Sequence, residues 1–341
     1  MPTHRTTLWT EAGVEVREAP RPAAGPGELL IAVRACGICG SDLHVYRGET
    51  PRPAGVGPGH GVVGEVAALG EGVAGPAVGT RVALEPYTSC GACRHCLRGR
   101  GYLCARRRLL GFGLPGGMAE HVVVPAGRAF PLPDELDWTT AALTEPAAIA
   151  LHGLRRAGLE VGQRVFVIGA GAIGLLATLL ARAGGATRVG VAARHPQQRE
   201  MALALGADEV LAPEEAVAGS SVARGGWDLV VETVGGHAPT LQQALDLADA
   251  GGTVLLLGVH SVPQEIVTRR IWLDEVTVIG AFGYGRWGGR ADYEDAIALL
   301  ARHRAELVPL VTHTFPLERA ADAFTTAADK RTGAIKVVVT P

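Results

Sequence analysis

The chain has 341 residues, 48% hydrophobic, 19% charged and 5% aromatic, with 47 Gly and 21 Pro. That is enough for two domains and excludes a disordered, collagenous or coiled-coil protein. With 32 basic residues against 34 acidic, the formal charge is −2, so no global field points to nucleic acid or an anionic membrane.

No apolar stretch follows Met1-Pro2-Thr3-His4-Arg5, so no secretory signal is expected. The longest apolar run, Val165–Ala181, is broken by Gly169, Gly171 and Gly174 and falls short of the ~20 residues a membrane span needs. These features predict a soluble, cytoplasmic protein. Residues 27–36 and 62–84 read as short strands split by Gly and Pro turns, a β-rich portion whose functional residues sit in loops.

The first such loop runs Cys36-Gly37-Ile38-Cys39-Gly40-Ser41-Asp42-Leu43-His44. A C-x-x-C pair can be a redox motif. Here, however, a hydroxyl and an imidazole follow Cys39 closely, and Gly59-His60-Gly61 comes further on. A soft thiolate and an imidazole from separate loops, with a carboxylate from elsewhere, make a zinc site with one position open to substrate. On this reading Cys39 and His60 are ligands, and Cys36 is a small buried residue at a strand end.

All six cysteines lie between positions 36 and 104. Four of them, Cys90, Cys93, Cys96 and Cys104, follow a C-x2-C-x2-C-x7-C pattern. Such thiolates wrap one tetrahedral Zn2+, and Gly91, Gly99 and Gly101 supply the turning freedom. A closed four-cysteine site leaves no open position, so the expected role is structural. A two-disulfide knot and an iron–sulfur cluster are the alternatives; a reducing compartment and the spacing argue against them. Arg94, His95, Arg98, Arg100, Arg106, Arg107 and Arg108 surround the loop. Zinc plus arginine could mark a nucleic-acid ribbon, but the patch is one loop with Tyr102 as its sole aromatic, which favours a solvated loop.

From about residue 147 helical periods alternate with the apolar runs Val165–Ile168, Arg188–Ala192, Leu229–Glu232, Thr253–Leu257 and Val276–Ile279, the pattern of a parallel sheet covered by helices. The first run leads into Gly169-Ala170-Gly171-Ala172-Ile173-Gly174 and a helix over Leu175–Arg182. A lone G-x-G-x-x-G is weak, but between strand and helix it predicts dinucleotide binding. Gly169 permits the turn, Gly171 the approach of pyrophosphate, and Gly174 the packing of helix on strand. An NAD enzyme places an acidic residue about 20 positions on. No carboxylate occurs between Gly174 and Glu200; Arg194 and Arg199 stand there instead, suited to an adenosine 2′-phosphate. NADP(H) is therefore preferred over NAD(H).

Taken together, Gly37–His44, Gly59-His60, the four-cysteine loop and Gly169–Gly174 resemble, in order and over nearly the whole chain, the zinc-dependent medium-chain alcohol and polyol dehydrogenases. The segment Leu307–His313, a following helix and Ile335–Val339 look like that family's C-terminal return to the catalytic domain. The resemblance implies an α/β protein: a β-rich GroES-like catalytic domain (1–146 and 283–341) and a doubly wound Rossmann coenzyme domain (147–282).

It makes Cys39 and His60 catalytic-zinc ligands, matches Ser41 and His44 to the groups that pass the substrate proton to solvent, and matches Asp42 to the residue that orients the zinc-bound histidine. The family usually has Glu directly after the ligand histidine, where this chain has Gly61. Thr144-Glu145-Pro146-Ala147 matches the Glu-Pro turn of polyol and butanediol dehydrogenases, so Glu145 becomes the third ligand. One catalytic and one structural zinc per chain are expected.

The implied reaction interconverts a secondary alcohol (polyol, sugar, cyclitol or vicinal diol) and its ketone by hydride transfer, with zinc as Lewis acid. Candidate pocket residues are Tyr46, Arg47, Phe112 and Trp287. The implied assembly is a homodimer or homotetramer, with neither nucleic acid nor membrane as partner. Two alternatives are carried: a zinc- and nucleotide-binding sensor or nucleic-acid-binding protein without turnover, and a zinc-free quinone or enone reductase on the same fold.

Overall fold

The computed structural model describes residues 2–217 and 226–341, which divide into two compact units, Met1–Glu145 with Tyr284–Pro341, and Pro146–Gly283.

In the first unit a seven-stranded sheet runs in the order Val311–Pro316, Lys336–Thr340, Glu28–Gly37, Gly61–Leu69, Arg81–Leu84 and Ala129–Pro131, with His121–Pro125 also pairing Glu28–Gly37. The chain's last strand joins the sheet antiparallel, Val338 opposite Gly37 and Val339 opposite Cys36. The segment 62–84 resolves into two strands, Gly61–Leu69 and Arg81–Leu84, because Gly70, Gly72, Gly75 and Pro76 interrupt it. A hairpin of Thr3–Thr10 with Gly13–Pro20 was not apparent in the sequence, since its strands alternate weakly between apolar and polar residues.

Leu29, Ile31, Val33, Val62, Val66, Val82, Leu84, Val337 and Val339 form the core with the helix Ala320–Ala328. That helix buries Ala320, Ala323, Phe324 and Ala327, the spacing of one helical face.

One register matters for chemistry. Gly37 pairs with Gly61. Cys39 stands two residues beyond the end of one strand and His60 one residue before the start of its neighbour, so adjacent pairing brings together residues 21 positions apart.

The second unit is a six-stranded parallel sheet in the order Glu209–Leu211, Arg188–Ala192, Arg164–Ile168, Trp227–Glu232, Ala248–Leu256 and Thr277–Gly280. Its central strands are nearly uniformly buried, which is why they read as apolar runs rather than alternating ones. Phe166 packs against Trp227 with ring centroids 5.0 Å apart. The strand Arg164–Ile168 has its sequence successor on one side and Trp227–Glu232 on the other. The order therefore reverses at its carboxyl end, where an open α/β sheet binds ligands. Glu209–Leu211 was not expected; at three half-buried residues it is too short to leave a pattern. Among the described residues, no helix is long and apolar enough to cross a membrane.

Candidate metal centres and dinucleotide turn

The helix Gly40–Tyr46 starts directly after Cys39, whose φ of −105° and ψ of 161° are those of an N-terminal cap. Asp42, three residues on, is wholly buried, and its Oδ2 accepts the Cys39 backbone N–H at 3.0 Å. The other oxygen of the same carboxylate, Oδ1, lies 3.6 Å from Nδ1 of the buried His60. One side chain thus restrains both the cysteine and the histidine. Gly59, with φ +104°, turns His60 inward; a Cβ there would lie 2.7 Å from Cys36 Sγ. Cys36 is fully buried, which pushes its thiol pKa far up, so it stays a packing residue.

Glu145 enters in the first turn of the helix Thr144–Arg156, where a carboxylate is favoured by the helix dipole. Ligand atoms of the half-buried Cys39 and the buried His60 and Glu145 lie within 4.8 Å of one another, a group of sulfur, nitrogen and oxygen donors that could hold a metal ion. Burial alone would lower the His60 pKa; the facing Asp42 and Cys39 outweigh it and raise it well above the ordinary value. Burial pushes the Cys39 thiol up, yet His60 beside it carries the net shift downward, toward thiolate. The donor set suits zinc.

Ser41 Oγ lies 3.5 Å from His60 Nε2. His44 sits three residues after Ser41 on the same helical face, and its Nδ1 is in contact with Glu49 Oε2. Of the candidate pocket residues, Phe112 lies against His60 with ring centroids 5.8 Å apart. Tyr46 and Arg47 instead turn to the C-terminal helix, bonding Thr325 Oγ1 at 3.2 Å and the Ala328 carbonyl at 3.1 Å. Trp287 is exposed.

Sequence reasoning missed Tyr284. Its hydroxyl donates to Glu145 Oε1 at 2.6 Å, and burial followed by the Glu145 carboxylate raises its pKa well above the ordinary phenol. No motif marks it, since a tyrosine between Gly283 and Gly285 has many ordinary fates.

The four cysteines of the second cluster also bring their sulfurs within 4.8 Å of one another. Cys90 and Cys96 Sγ are 3.8 Å apart and Cys93 and Cys96 3.5 Å. A tetrahedron with metal–sulfur bonds near 2.3 Å has edges of about 3.8 Å. All six cysteines are free, and the spacing of these sulfurs is that of ligands around one metal and not of bonded pairs. The Ala92 and Cys93 amides, then Arg106, bring the Cys90 pKa down to about 5. Arg107 and Arg108 donate to the Cys104 and Gly113 carbonyls, so part of the loop's basic charge is used within it.

In the second unit, Gly169 has φ +98°, and a Cβ on Gly174 would stand 1.9 Å from the Gly169 carbonyl oxygen. At Gly171 a Cβ would meet nothing within 4 Å, leaving room for a group to approach the backbone. The helix Ala172–Ala183 begins there, one turn earlier than the sequence suggested, and Ile173 is half-buried in that turn. A further residue without a sequence signal, Thr233, donates its hydroxyl to the Ile168 and Gly169 carbonyls at 2.9 and 3.1 Å and pins the turn. Arg194 is exposed directly after Arg188–Ala192. Arg199 is engaged by the Ala193 carbonyl at 3.1 Å and by Glu215 at 3.7 Å.

Residues 25–134 match the family model described as "Alcohol dehydrogenase GroES-like domain", and residues 172–302 match "Zinc-binding dehydrogenase". A sorbitol dehydrogenase of Halalkalibacterium halodurans is 34% identical over 333 residues, covering 96% of this chain and 95% of its own. An L-threonine 3-dehydrogenase of Rhizobium johnstonii is 32% identical over 92% of each chain. Among solved structures, a zinc-binding dehydrogenase of Sinorhizobium meliloti bound to NADP is 36% identical, with a TM-score of 0.91 over 100% of both chains. An alcohol dehydrogenase of Escherichia coli complexed with NADH is 30% identical, with a TM-score of 0.88 over 99% of both.

Proposed function

The chain belongs to the zinc-dependent medium-chain alcohol and polyol dehydrogenase family, and from that premise we propose that it interconverts a secondary alcohol and its ketone with NADP(H). The observation that carries this reading is the meeting of Cys39, His60 and Glu145 at one point, although they lie far apart in the chain.

In that role Cys39, His60 and Glu145 would hold the catalytic zinc, and Cys90, Cys93, Cys96 and Cys104 a structural one. When bound, the zinc supplies Lewis-acid polarisation of the substrate hydroxyl and the oxidised nicotinamide accepts a hydride. Asp42, whose Oδ1 faces Nδ1 of His60, would orient the ring for a bound metal. Ser41 takes the hydroxyl proton and passes it to His44, from which it reaches solvent. Glu49 holds the His44 ring in place for that transfer. The alcohol thus loses one proton and one hydride, and a carbonyl remains.

NADP(H) is supported by exposed Arg194 and by the lack of a carboxylate between Gly174 and Glu200. The NADP-bound relative at 36% identity agrees with it, while the NADH-bound one at 30% keeps the comparison open. For substrate we infer a secondary alcohol whose neighbouring carbon carries a heteroatom: polyol, sugar, cyclitol or vicinal diol. Sorbitol and threonine, the substrates in the relatives' names, both fit that description. A cytoplasmic location and a homodimer or homotetramer are carried over from the family.

Absorbance of reduced nicotinamide, followed across polyols, diols, sugars and threonine with both coenzymes and combined with metal analysis, tests the reading. Two zinc ions per chain and turnover with NADP are expected. One zinc ion, or strict preference for NAD, would overturn the catalytic-metal or the coenzyme assignment respectively.

A further inference from the structure

Tyr284 and Glu145 are 139 residues apart, both buried, at 3% and 6% exposure, and joined by a 2.6 Å hydrogen bond from the phenol to Oε1. The phenol has little freedom to leave. Its ring stacks on Tyr87 at 5.8 Å and 12°, and meets Tyr293 edge-on at 4.9 Å and 83°. Tyr87 donates its hydroxyl to the Tyr284 carbonyl at 3.2 Å. Arg128 covers the other aromatic, 4.7 Å from the Tyr87 ring centroid, and pairs with the buried Glu85. The cluster is a rigid mount that directs the Tyr284 phenol at Glu145.

A buried carboxylate requires partners for its lone pairs. With Oε1 engaged by a phenol at 2.6 Å, the orientation of the carboxylate is set. A charge-assisted bond of this kind is short and directional.

We propose that Tyr284 is a positioning residue for the catalytic metal: by holding Oε1 of Glu145 it fixes how that carboxylate faces Cys39 and His60. The proposal rests on Glu145 being a ligand.

The test is Co2+ affinity of the full chain, measured by chelator competition and visible absorption, in the wild type, Tyr284→Phe, Glu145→Gln, the double variant and Tyr293→Phe. Tyr284→Phe keeps the ring, and retention of metal by the four-cysteine loop reports that the variant has folded. Tyr284→Phe is expected to weaken the Cys39–His60–Glu145 site about 10–100-fold, the usual consequence of losing such a supporting contact. The four-cysteine site should be unchanged, as should Tyr293→Phe, and the double variant should be no weaker than Glu145→Gln.

Wild-type affinity in Tyr284→Phe alone overturns the role of Tyr284 and leaves Glu145 standing. Wild-type affinity in Glu145→Gln removes Glu145 as a ligand and the proposal with it. An equal loss in Tyr293→Phe, a further loss on adding Tyr284→Phe to Glu145→Gln, or loss of the four-cysteine metal assigns Tyr284 to packing and overturns the proposal.

Discussion

In a doubly wound sheet the adenosine ribose is gripped at the end of the second strand, and here that strand, Arg188–Ala192, is followed by Ala193 and the exposed Arg194. A hydrogen bond to a charged group contributes about 1.5–3 kcal/mol. Arg194→Ala is therefore expected to raise KM for NADP about 10–100-fold and to leave KM for NAD nearly unchanged, as initial rates with each coenzyme will show. Equal effects on both would remove Arg194 from coenzyme selection.

A second residue-scale expectation concerns His44. Without it the substrate proton must leave Ser41 by another route, one that hydroxide makes easier. His44→Ala should lower kcat on the order of 100-fold at neutral pH and distinctly less at alkaline pH. Glu49→Gln should show a weaker version of the same profile, because Glu49 touches His44 through Nδ1. A uniform loss across pH would sink the relay.

The convergence of Cys39 and His60 was legible because few residue types bind zinc and their loops are short and glycine-flanked. Glu145 needed the family resemblance, since a single carboxylate carries no pattern. The contacts of Tyr284 with Glu145 and of Glu49 with His44 were illegible because tertiary structure alone creates them.

The strand–turn–helix over Arg164–Ala183 shows how an element can be both motif and packing device. Its glycine pattern was readable, but the reason for Gly174 lies in a distance: a Cβ there would stand 1.9 Å from the Gly169 oxygen, and backbone cannot retreat as a flexible side chain does. Gly174→Ala should therefore open the turn, costing about 1–3 kcal/mol and weakening coenzyme binding, which quenching or enhancement of bound NADPH fluorescence will report. Metal content should be unaltered, because both candidate metal centres lie in the other unit. Wild-type NADPH affinity in Gly174→Ala would mean that the turn tolerates a side chain and that the steric reading is wrong. Element boundaries were less legible than element types. The helix starts at Ala172 and not Leu175 because Gly171 can cap it without a side chain, whereas the sequence shows only where the apolar residues begin.

At the scale of the whole chain, the β/α alternation and the C-terminal return were legible because buried parallel strands leave long apolar runs. The pairing of His4 with His121 was not, since it joins the first strand to one more than a hundred residues later. Their rings meet edge-on at 5.8 Å, and neither Nδ1 has a hydrogen-bond partner. Burial lowers both pKa values; Arg21 lowers them further, and the neighbouring Glu120 opposes this only in part.

Several carboxylates are also held below their usual range, among them Asp228 by its bonds to Arg164 and Glu120 by the Arg5 backbone and guanidinium. In every one of these groups the folded pKa lies below the unfolded one. Between the two values the unfolded chain binds more protons, so stability is complete above the unfolded pKa and is lost as pH falls through the folded one. The histidines begin to act below about pH 6.5 and the carboxylates below about pH 4. Thermal melting between pH 8 and pH 3 should accordingly show a shallow decline followed by a steeper one. His121→Gln removes one titrating group and the repulsion it exerts on a protonated His4, so its decline from about pH 6.5 to pH 5 should be flatter than that of the wild type, with the steeper limb retained. Acid release of metal from the thiolates is common to both proteins and cancels in the difference. If the two curves run parallel over that upper window, the His4–His121 pair is not what weakens the fold there.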